Sequence, residues 1–357
     1  MPHTERGAGV DTCAPPQVAW GPMVIYSLED RLELREFGIQ IPVYDSRASR
    51  TFERLLSNPA LGPRRAEWQL EHAEEPILRE DLLRAHSPAY VARLYGEALE
   101  QEIIRTFELR DQMGRPYRYD PASARRPLRE LLEQALHTVS GTCQCCRQAL
   151  RSGFCYYFGG GTHHAQRDEG KGFCLLNDTV IALRRLQTKG EVRGAWVIDV
   201  DAHKGDGTAA ITQGDMSIRT LSIHMARGWP LDEPERDAQG RLNPSFVPSD
   251  VDLPVAEGEE GRYLGLLAAG LERLAGLSVP DLAVVVDGAD PYEHGELPST
   301  GLLRLTLAQL LERDLLVYRF LQRRGMPSAW LMAGGYGERS WEVYAQFLET
   351  VLPQRLP

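Results

Sequence analysis

The sequence predicts an α/β fold in which a central, mostly parallel sheet is covered by helices on both faces. From Phe154 onward, short apolar segments alternate with segments whose apolar residues recur at helical spacing. The short segments are apolar throughout instead of alternating with polar residues, which is typical of strands buried on both faces. Strands of this kind separated by helices indicate a parallel sheet.

Six strands are expected along the chain. The first lies in an N-terminal third that is otherwise predicted to be mainly helical, and the other five follow in the α/β region. Their predicted positions are residues 23–26, 154–158, 194–200, 218–224, 282–288 and 328–334.

Local signals mark several helix ends. Ser87 followed by Pro88 predicts a helix start, because serine accepts a hydrogen bond from the first turn and proline needs no N–H partner there. Asn177 or Asp178 is expected to cap a later helix that closes at Lys189. Two further helices are predicted around residues 262–275 and 302–324.

Composition restricts the possible functions. The 357 residues include 40 Lys plus Arg and 50 Asp plus Glu, so the formal charge is -10. This acidic balance argues against direct binding to nucleic acid, whose phosphates require basic surfaces, and is compatible with cationic substrates. The chain shows no signal-peptide pattern and no stretch of about 18 apolar residues, so a cytoplasmic protein is expected, with no membrane partner. Without a repeat or a low-complexity linker, residues 1–357 are expected to form one domain.

Two segments could be mistaken for other features. The cysteines at 143–146 lie where apolar and small residues recur at helical spacing, which predicts helix packing and not a metal site. The polar, arginine-rich segment from about 105 to 127 predicts a long surface loop. Long loops in compact domains often carry function.

Reactive residues follow each predicted strand after Phe154. Ligands of parallel sheets gather outside the carboxyl ends of the strands, so these residues are expected to meet at one edge. The segments concerned are GGGTHHA, DAHKGDG, His224, the Ala-Asp after VVVDG, and GGYG.

The segment VIDVDAHKGDG carries three carboxylates and an imidazole. In an extended strand end Asp199, Asp201 and His203 point to the same side, because side chains alternate with period two. The alternative is that Asp201 or Asp206 merely caps the next helix. Capping does not explain the whole set, since each buried charge costs several kcal/mol unless it is paired or binds a cation.

A further carboxylate would complete a metal site. Asp290 follows a strand end and gives, with Asp201 and His203, an O/N/O ligand set that leaves room for water, as catalytic zinc sites do. Asp287 is the competing candidate and ranks lower, because it lies within or at the edge of its strand.

The remaining polar groups are suited to proton transfer. His163 and His164 stand beside three glycines, and Asp199 and Asp206 could orient their imidazoles by accepting N–H protons. Tyr336, in a glycine-rich turn, could donate a hydrogen bond to a developing oxyanion. The alternatives are a solvated histidine pair and a structural tyrosine.

Together these segments resemble the histone deacetylase superfamily, which also includes acetylpolyamine amidohydrolases and acetoin-utilisation proteins. The resemblance covers about residues 70–345 and includes LREDLLRAHSPAYVARL near its start. The other motifs, in chain order, are GGGTHHAQRDEGKGFCLLND, VIDVDAHKGDGTAAI, LSIH, GADPYE and AGGYG. The resemblance implies the arginase–deacetylase fold with eight strands in its central sheet.

The resemblance also assigns roles by position. It makes Asp201, His203 and Asp290 the ligands of a zinc or ferrous ion, and Tyr336 the group that polarises the amide carbonyl. It makes His163 and His164 the proton-transfer pair, with Asp199 and Asp206 behind them. Gly172, Phe173 and Leu297 would line the substrate tunnel. A structural potassium ion would be held by positions Asp199, Asp201, His203, Ser222 and Ile223.

The implied reaction is hydrolysis of an acetylated or otherwise acylated lysine side chain in a protein. Which histidine is the base and which the acid is left open, as is the oligomeric state. The alternatives are an acetylpolyamine deacetylase, a catalytically silent binding protein, and a two-metal ureohydrolase of the same fold. The ureohydrolase is disfavoured, because two residues, not one, separate His203 from Asp206.

Two segments depart from the usual pattern of the family. Residues 225–250 replace a short Pro-Gly-Thr-Gly turn, so either Trp229 or Phe246 could face Phe173. The segment after Asp290 is longer than usual. Glu296 or Leu297 could line the pocket there, and an acidic residue would favour polyamines.

Overall fold

A computed structural model describes residues 21–27, 33–43, 46–73, 75–231, 233, 235–243 and 246–356. Its strands are β1 (Val24–Ile25), β2 (Gln69–Leu70), β3 (Phe154–Tyr157), β4 (Ala195–Asp199), β5 (Ile218–Met225), β6 (Val251–Val255), β7 (Leu282–Asp287) and β8 (Ser328–Met332). Within these residues they form one eight-stranded sheet in the order β2-β1-β3-β8-β7-β4-β5-β6. Every neighbouring pair is parallel, which confirms the predicted fold class.

Eleven α-helices occur in the described part of the chain. They are α1 (Ser46–Ser57), α2 (Arg65–Trp68), α3 (Arg79–Leu82), α4 (Pro88–Leu94), α5 (Leu99–Thr106), α6 (Leu131–Ser152), α7 (Asp178–Thr188), α8 (Asp206–Thr212), α9 (Tyr263–Ala275), α10 (Leu307–Arg323) and α11 (Trp341–Val351). None of them combines the length and the apolar character that crossing a membrane requires.

The sheet separates two hydrophobic cores, and successive residues of a strand enter opposite ones. Along β7, Ala283 and Val285 belong to one core, which α9, α10 and α11 cover. Val284 and Val286 belong to the other core, beneath α6 and α7. Burial on both faces explains why the central strands are apolar at every position.

The predicted helix signals are confirmed, with one clarification. The Ser87 side chain accepts a hydrogen bond from the Tyr90 N–H (3.3 Å), and Pro88 is the first residue of α4. Asn177 caps α7 by accepting from the Val180 N–H (3.1 Å). Asp178 instead accepts from the backbone of the loop after β3, and thereby ties that loop to α7.

Several boundaries differ from the prediction. The strands β2 and β6 were not predicted, and α10 begins at Leu307, not at 302, because Thr306 and Gln309 form a reciprocal cap there. The cysteines at 143, 145 and 146 are fully buried in α6, as expected for helix packing.

Close packing of α6 on β3 gives a stability prediction. A Cβ built on Gly141 would lie 2.3 Å from the Tyr157 ring, whereas one on Gly265 in α9 meets nothing within 4 Å. We expect Gly141→Ala to lower the free energy of unfolding by about 1–3 kcal/mol. Gly265→Ala should instead raise it by up to about 1 kcal/mol, because alanine favours helix. Urea unfolding checks both, and equal effects in the two variants would contradict the packing argument.

Candidate active site

Four adjacent strands deliver the reactive side chains to one edge of the sheet. The order β3-β8-β7-β4 places the loop with His163 and His164 beside Tyr336, then Asp290, then Asp201 and His203. These residues line a common cavity of about 120 Å³. The sequence places them far apart, and the parallel sheet brings them together.

Three of the predicted residues could hold a metal ion. The ligand atoms of Asp201, His203 and Asp290 all lie within 4.8 Å of one another, and all three residues are buried. Nδ1 of His203 lies 3.1 Å from Asp201 Oδ1 and 2.8 Å from Asp290 Oδ2. The strand β4 ends at Asp199, so the turn after it brings Asp201 and His203 together, rather than the alternation of an extended strand.

Two glycines permit this approach of the carboxylates. A Cβ on Gly288 would lie 2.1 Å from Asp201 Oδ2. A Cβ on Gly334 would lie 2.2 Å from Asp290 Oδ1 and 2.4 Å from Asp201 Oδ2. The two aspartates therefore occupy space that any larger residue at these positions would fill.

The charges of this triad fit a divalent cation. Burial and the neighbouring Asp201 charge together raise the pKa of Asp290 to about 7, although the hydrogen bond with His203 acts in the opposite direction. Burial would lower the pKa of His203, but its hydrogen bonds to the two carboxylates outweigh burial and raise the pKa to about 10. Asp290 Oδ1 has no hydrogen-bond partner in the described residues although it is buried. Excess buried negative charge and an unpartnered ligand atom are what a bound cation would satisfy.

Each of the tandem histidines has its own aspartate. Nδ1 of His163 lies 2.6 Å from Asp199 Oδ2, and Nδ1 of His164 lies 2.7 Å from Asp206 Oδ1. Asp206 begins α8 and does not cap it, since Gly205 is the capping residue. In both pairs the aspartate therefore orients an imidazole whose Nε2 is left for chemistry.

The two imidazoles differ in proton affinity. Burial would lower the pKa of His163, but the charge and hydrogen bond of Asp199 outweigh it and raise the pKa to about 9. Burial and the charge of His163 lower the pKa of His164 to about 3, although Asp206 acts in the opposite direction. At neutral pH His163 therefore carries a proton and His164 does not.

Sequence reasoning missed two partners of Asp206. Its Oδ2 accepts hydrogen bonds from Lys171 Nζ (2.6 Å) and from Gln166 Nε2 (2.8 Å). The Lys171 ammonium also lies 5.6 Å from the centre of the Trp229 ring. Lys171 lies in the segment that follows GGGTHH, two residues before Phe173. Nothing in its sequence context indicates a contact with Asp206, which lies 35 residues later in the chain.

A second cavity, of about 160 Å³, shares His203 and Tyr336 with the first and is called the approach. Its lining includes one residue of each pair that the sequence left as alternatives. Trp229 lines it and Phe246 does not, because Phe246 packs beneath Lys204. Leu297 lines it, whereas the Glu296 side chain lies against Gly337. Its lining residues are Glu108, Arg118, His164, Gly172, Phe173, His203, Trp229, Leu297, Ser299 and Tyr336.

Backbone strain is concentrated at this approach. The non-glycine residues with positive φ in the described chain are Glu108 (53°), Arg118 (50°) and Phe173 (65°). All three line the same cavity. Strained conformations cost about 1–3 kcal/mol each and cluster at functional sites. Glu108 and Arg118 belong to the arginine-rich segment whose length had suggested a functional loop.

The predicted potassium positions lie together on two neighbouring strands and the turn beyond. Asp199 is paired with Ser222 across β4 and β5, and Ile223 follows Ser222 on β5. The Asp201 N–H donates to Asp199 Oδ1 (3.1 Å), and the Gly205 N–H donates to Ser222 Oγ (3.4 Å).

Asp287 is not near enough to join the metal-binding group. Its carboxylate accepts hydrogen bonds from Arg313 Nη2 (2.8 Å) and from the Tyr156 hydroxyl (2.7 Å). Among the described residues, the triad of Asp201, His203 and Asp290 is the one cluster with metal-binding geometry. This arrangement further disfavours the two-metal ureohydrolase.

The chain is similar to one known protein family and to several known proteins. Residues 41–351 match the family model described as histone deacetylase domain. An uncharacterized protein of Picosynechococcus sp. is 34% identical over 58% of this chain and 64% of its own length. Histone deacetylase 2 of Arabidopsis thaliana is 27% identical over 61% of this chain and 53% of its own length. The acetoin utilization protein AcuC of Staphylococcus aureus is 26% identical over 89% of this chain and 78% of its own length.

The first two of these matches thus span less than two thirds of the relatives' own lengths. The family match is wider, because it covers most of the present chain and extends beyond residues 70–345 on both sides. It confirms the resemblance found in the sequence. The chain belongs to the histone deacetylase family.

Proposed function

We propose that the protein is a metal-dependent amidohydrolase that removes acetyl or other acyl groups from lysine side chains of proteins. The observation that carries the proposal is the lining of one cavity: a triad suited to a cation, two histidines of opposite proton affinity that are each bonded to an aspartate, and Tyr336. A zinc or ferrous ion at Asp201, His203 and Asp290 would polarise the scissile carbonyl and acidify water.

The residues of the chain then divide the remaining work. Burial raises the pKa of Tyr336 well above its ordinary value, so its hydroxyl stays protonated and can donate to the developing oxyanion. Neutral His164 can accept the proton of the attacking water. Protonated His163 can give its proton to the departing lysine amine. The proposal thus takes His164 as the base and His163 as the acid, a choice that the sequence left open.

We also propose that oxygens of the predicted positions on β4, β5 and the following turn hold a potassium ion. The pairing of Asp199 with Ser222 supports this, because it places oxygen-bearing residues of both strands side by side, two residues before Asp201. The predicted positions are Asp199, Asp201, His203, Ser222 and Ile223.

The approach cavity favours protein lysine over polyamine as the substrate. Leu297 supplies an apolar wall where an acidic residue would attract a polyamine. Arg118 stands at the same cavity with its guanidinium 6.0 Å from the centre of the Phe173 ring, and its charge is balanced by Glu108 at 3.6 Å. Because these two charges offset each other, the cavity offers no net negative charge to attract the additional ammonium groups of a polyamine, and an acyl-lysine in a neutral backbone needs none.

The first test is turnover of an acetyl-lysine peptide by the metal-loaded protein and by Tyr336→Phe. Loss of one oxyanion donor should lower kcat about 10²–10³-fold with little change in KM. Tyr318→Phe, which removes a hydroxyl that accepts from Gln322 within α10, is the matched control and should keep the parent rate. Equal rates for Tyr336→Phe and the parent would refute the role of Tyr336. No turnover of any acyl-amine would leave the silent binding protein as the better interpretation.

The pH profile tests the assignment of the acid. His163 must be protonated to donate, so kcat/KM should fall as the pH rises through its pKa of about 9. Asp199→Asn removes the charge that raises this pKa, and the alkaline limb should therefore move to lower pH. Asp206→Asn slows the reaction but should leave that limb in place. An alkaline limb that Asp199→Asn does not shift would show that His163 is not the acid.

Substrate choice is tested at the cavity approach. The Arg118 side chain is 26% exposed. Removing its positive charge should therefore lower the electrostatic free energy of a cation in the cavity by about 1 kcal/mol. Arg118→Gln should therefore raise kcat/KM for acetylspermidine relative to an acetyl-lysine peptide about fivefold. Arg110→Gln alters an exposed arginine of the same loop and should not change the ratio. A parent enzyme that already prefers acetylspermidine would contradict the substrate assignment.

A further inference from the structure

Arg313 is a fully buried arginine whose side chain reaches the ends of both strands that carry the metal-binding aspartates. Its Nη1 donates to the carbonyl of Val200 (3.0 Å) and to the carbonyl of Gly288 (2.7 Å). Val200 directly precedes Asp201, and Gly288 lies two residues before Asp290. A single nitrogen of α10 thus joins the turns after β4 and β7.

The guanidinium is held from its other sides by charged and polar groups. Nη2 donates to Asp287 Oδ1 (2.8 Å), and Nε donates to Asp314 Oδ1 (2.6 Å). The Tyr156 hydroxyl donates to the second oxygen of Asp287 (2.7 Å). The guanidinium is planar, its N–H donors have fixed directions, and several of them donate hydrogen bonds at once. These bonds therefore fix its orientation.

Stability alone does not account for such a group. The side chains of Arg313, Asp287 and Asp314 are all 0% exposed. Buried ion pairs are often no more stabilising than apolar residues of similar volume, because desolvation offsets the attraction. What the arginine adds is geometry, since its two carbonyl contacts fix how far the turn after β4 lies from the turn after β7.

That spacing determines the separation of Asp201 and Asp290. The strands β4 and β7 are paired only as far as Asp199 and Val286, so their ladder stops before either metal-binding residue. The carboxylates of Asp201 and Asp290 pack closely against Gly288 and Gly334. A displacement of the turn after β4 or of the turn after β7 would therefore move these carboxylates.

We propose that Arg313 is a positioning residue that sets the distance between Asp201 and Asp290 and so determines the affinity of the metal site. The inference rests on the proposed function, because it assumes that the triad binds a divalent cation. It concerns binding and not turnover, so the two can fail separately.

The experiment measures the dissociation constants of zinc and cobalt by competition with a chromophoric chelator, in the full-length protein. Outer contacts of metal sites typically change affinity about 10–100-fold, and we expect Arg313→Met to weaken zinc binding within that range. The visible absorption bands of bound cobalt should change as well, since they report the ligand geometry. Arg313→Lys keeps the positive charge but lacks the planar guanidinium that can donate in several fixed directions. Its zinc affinity should therefore lie between that of the parent and that of Arg313→Met.

Arg355→Met is the matched control. Arg355 is also buried, and donates to the Ser152 carbonyl (2.8 Å) and the Tyr318 hydroxyl (3.2 Å), remote from the two turns. Its loss should lower thermal stability but leave zinc affinity and the cobalt bands unchanged. If Arg313→Met does not fold, Arg313→Lys carries the same comparison.

Three results would overturn the inference. The first is parental zinc affinity and cobalt bands in both Arg313 variants. The second is a loss of affinity in Arg355→Met equal to that in Arg313→Met, because the effect would then follow stability alone. The third is a parent protein that binds neither metal, which would refute the proposed function together with the inference.

Discussion

Burial of negative charge at one edge of the sheet is the constraint on which the site depends. Five aspartates are buried at or beyond the carboxyl ends of β4 and β7, and a buried charge without a partner is costly. Three of the five have charged partners: Asp199 pairs with His163, Asp206 with Lys171, and Asp287 shares Arg313 with Asp314. The other two share one imidazole, that of His203, so the described residues leave negative charge uncompensated where the ligand atoms converge. The aspartates are Asp199, Asp201, Asp206, Asp287 and Asp290.

The close packing of the buried aspartates restricts the backbone and the residue types around them. Gly288 and Gly334 occur where any Cβ would collide with a carboxylate, so the metal triad requires residues without side chains around it. At the approach, Phe173 takes a positive φ beside Gly172, where a Cβ would lie 2.2 Å from the Trp229 ring. The same close packing that brings the reactive atoms together thus narrows the route to them, and the strain is held by the surrounding fold.

The sequence predicted those parts of the molecule whose physical signal is local. Continuous apolar segments predicted the central strands, and their reactive ends followed from the geometry of parallel sheets. The strand β6 was not predicted, because Asp252 and Pro254 interrupt its apolar pattern. The strand β2 has two half-buried residues, too few for any pattern. The ion pair of Arg313 was also missed, because in sequence a charged residue within a helix ordinarily indicates a solvent-facing position.

The tandem histidines show how far identical neighbours can diverge once folded. His163 and His164 are adjacent and equally buried, so neither sequence nor burial distinguishes them. Their aspartates do: the hydrogen bond and charge of Asp199 act on His163, whereas Asp206 divides its oxygens among His164, Gln166 and Lys171. A protonated His163 then disfavours a second positive charge 4.0 Å away, measured between ring centres. Two copies of one residue type therefore acquire opposite proton affinities, because each has a different counter-charge and each feels the charge of the other, and the proposed mechanism uses one as acid and the other as base.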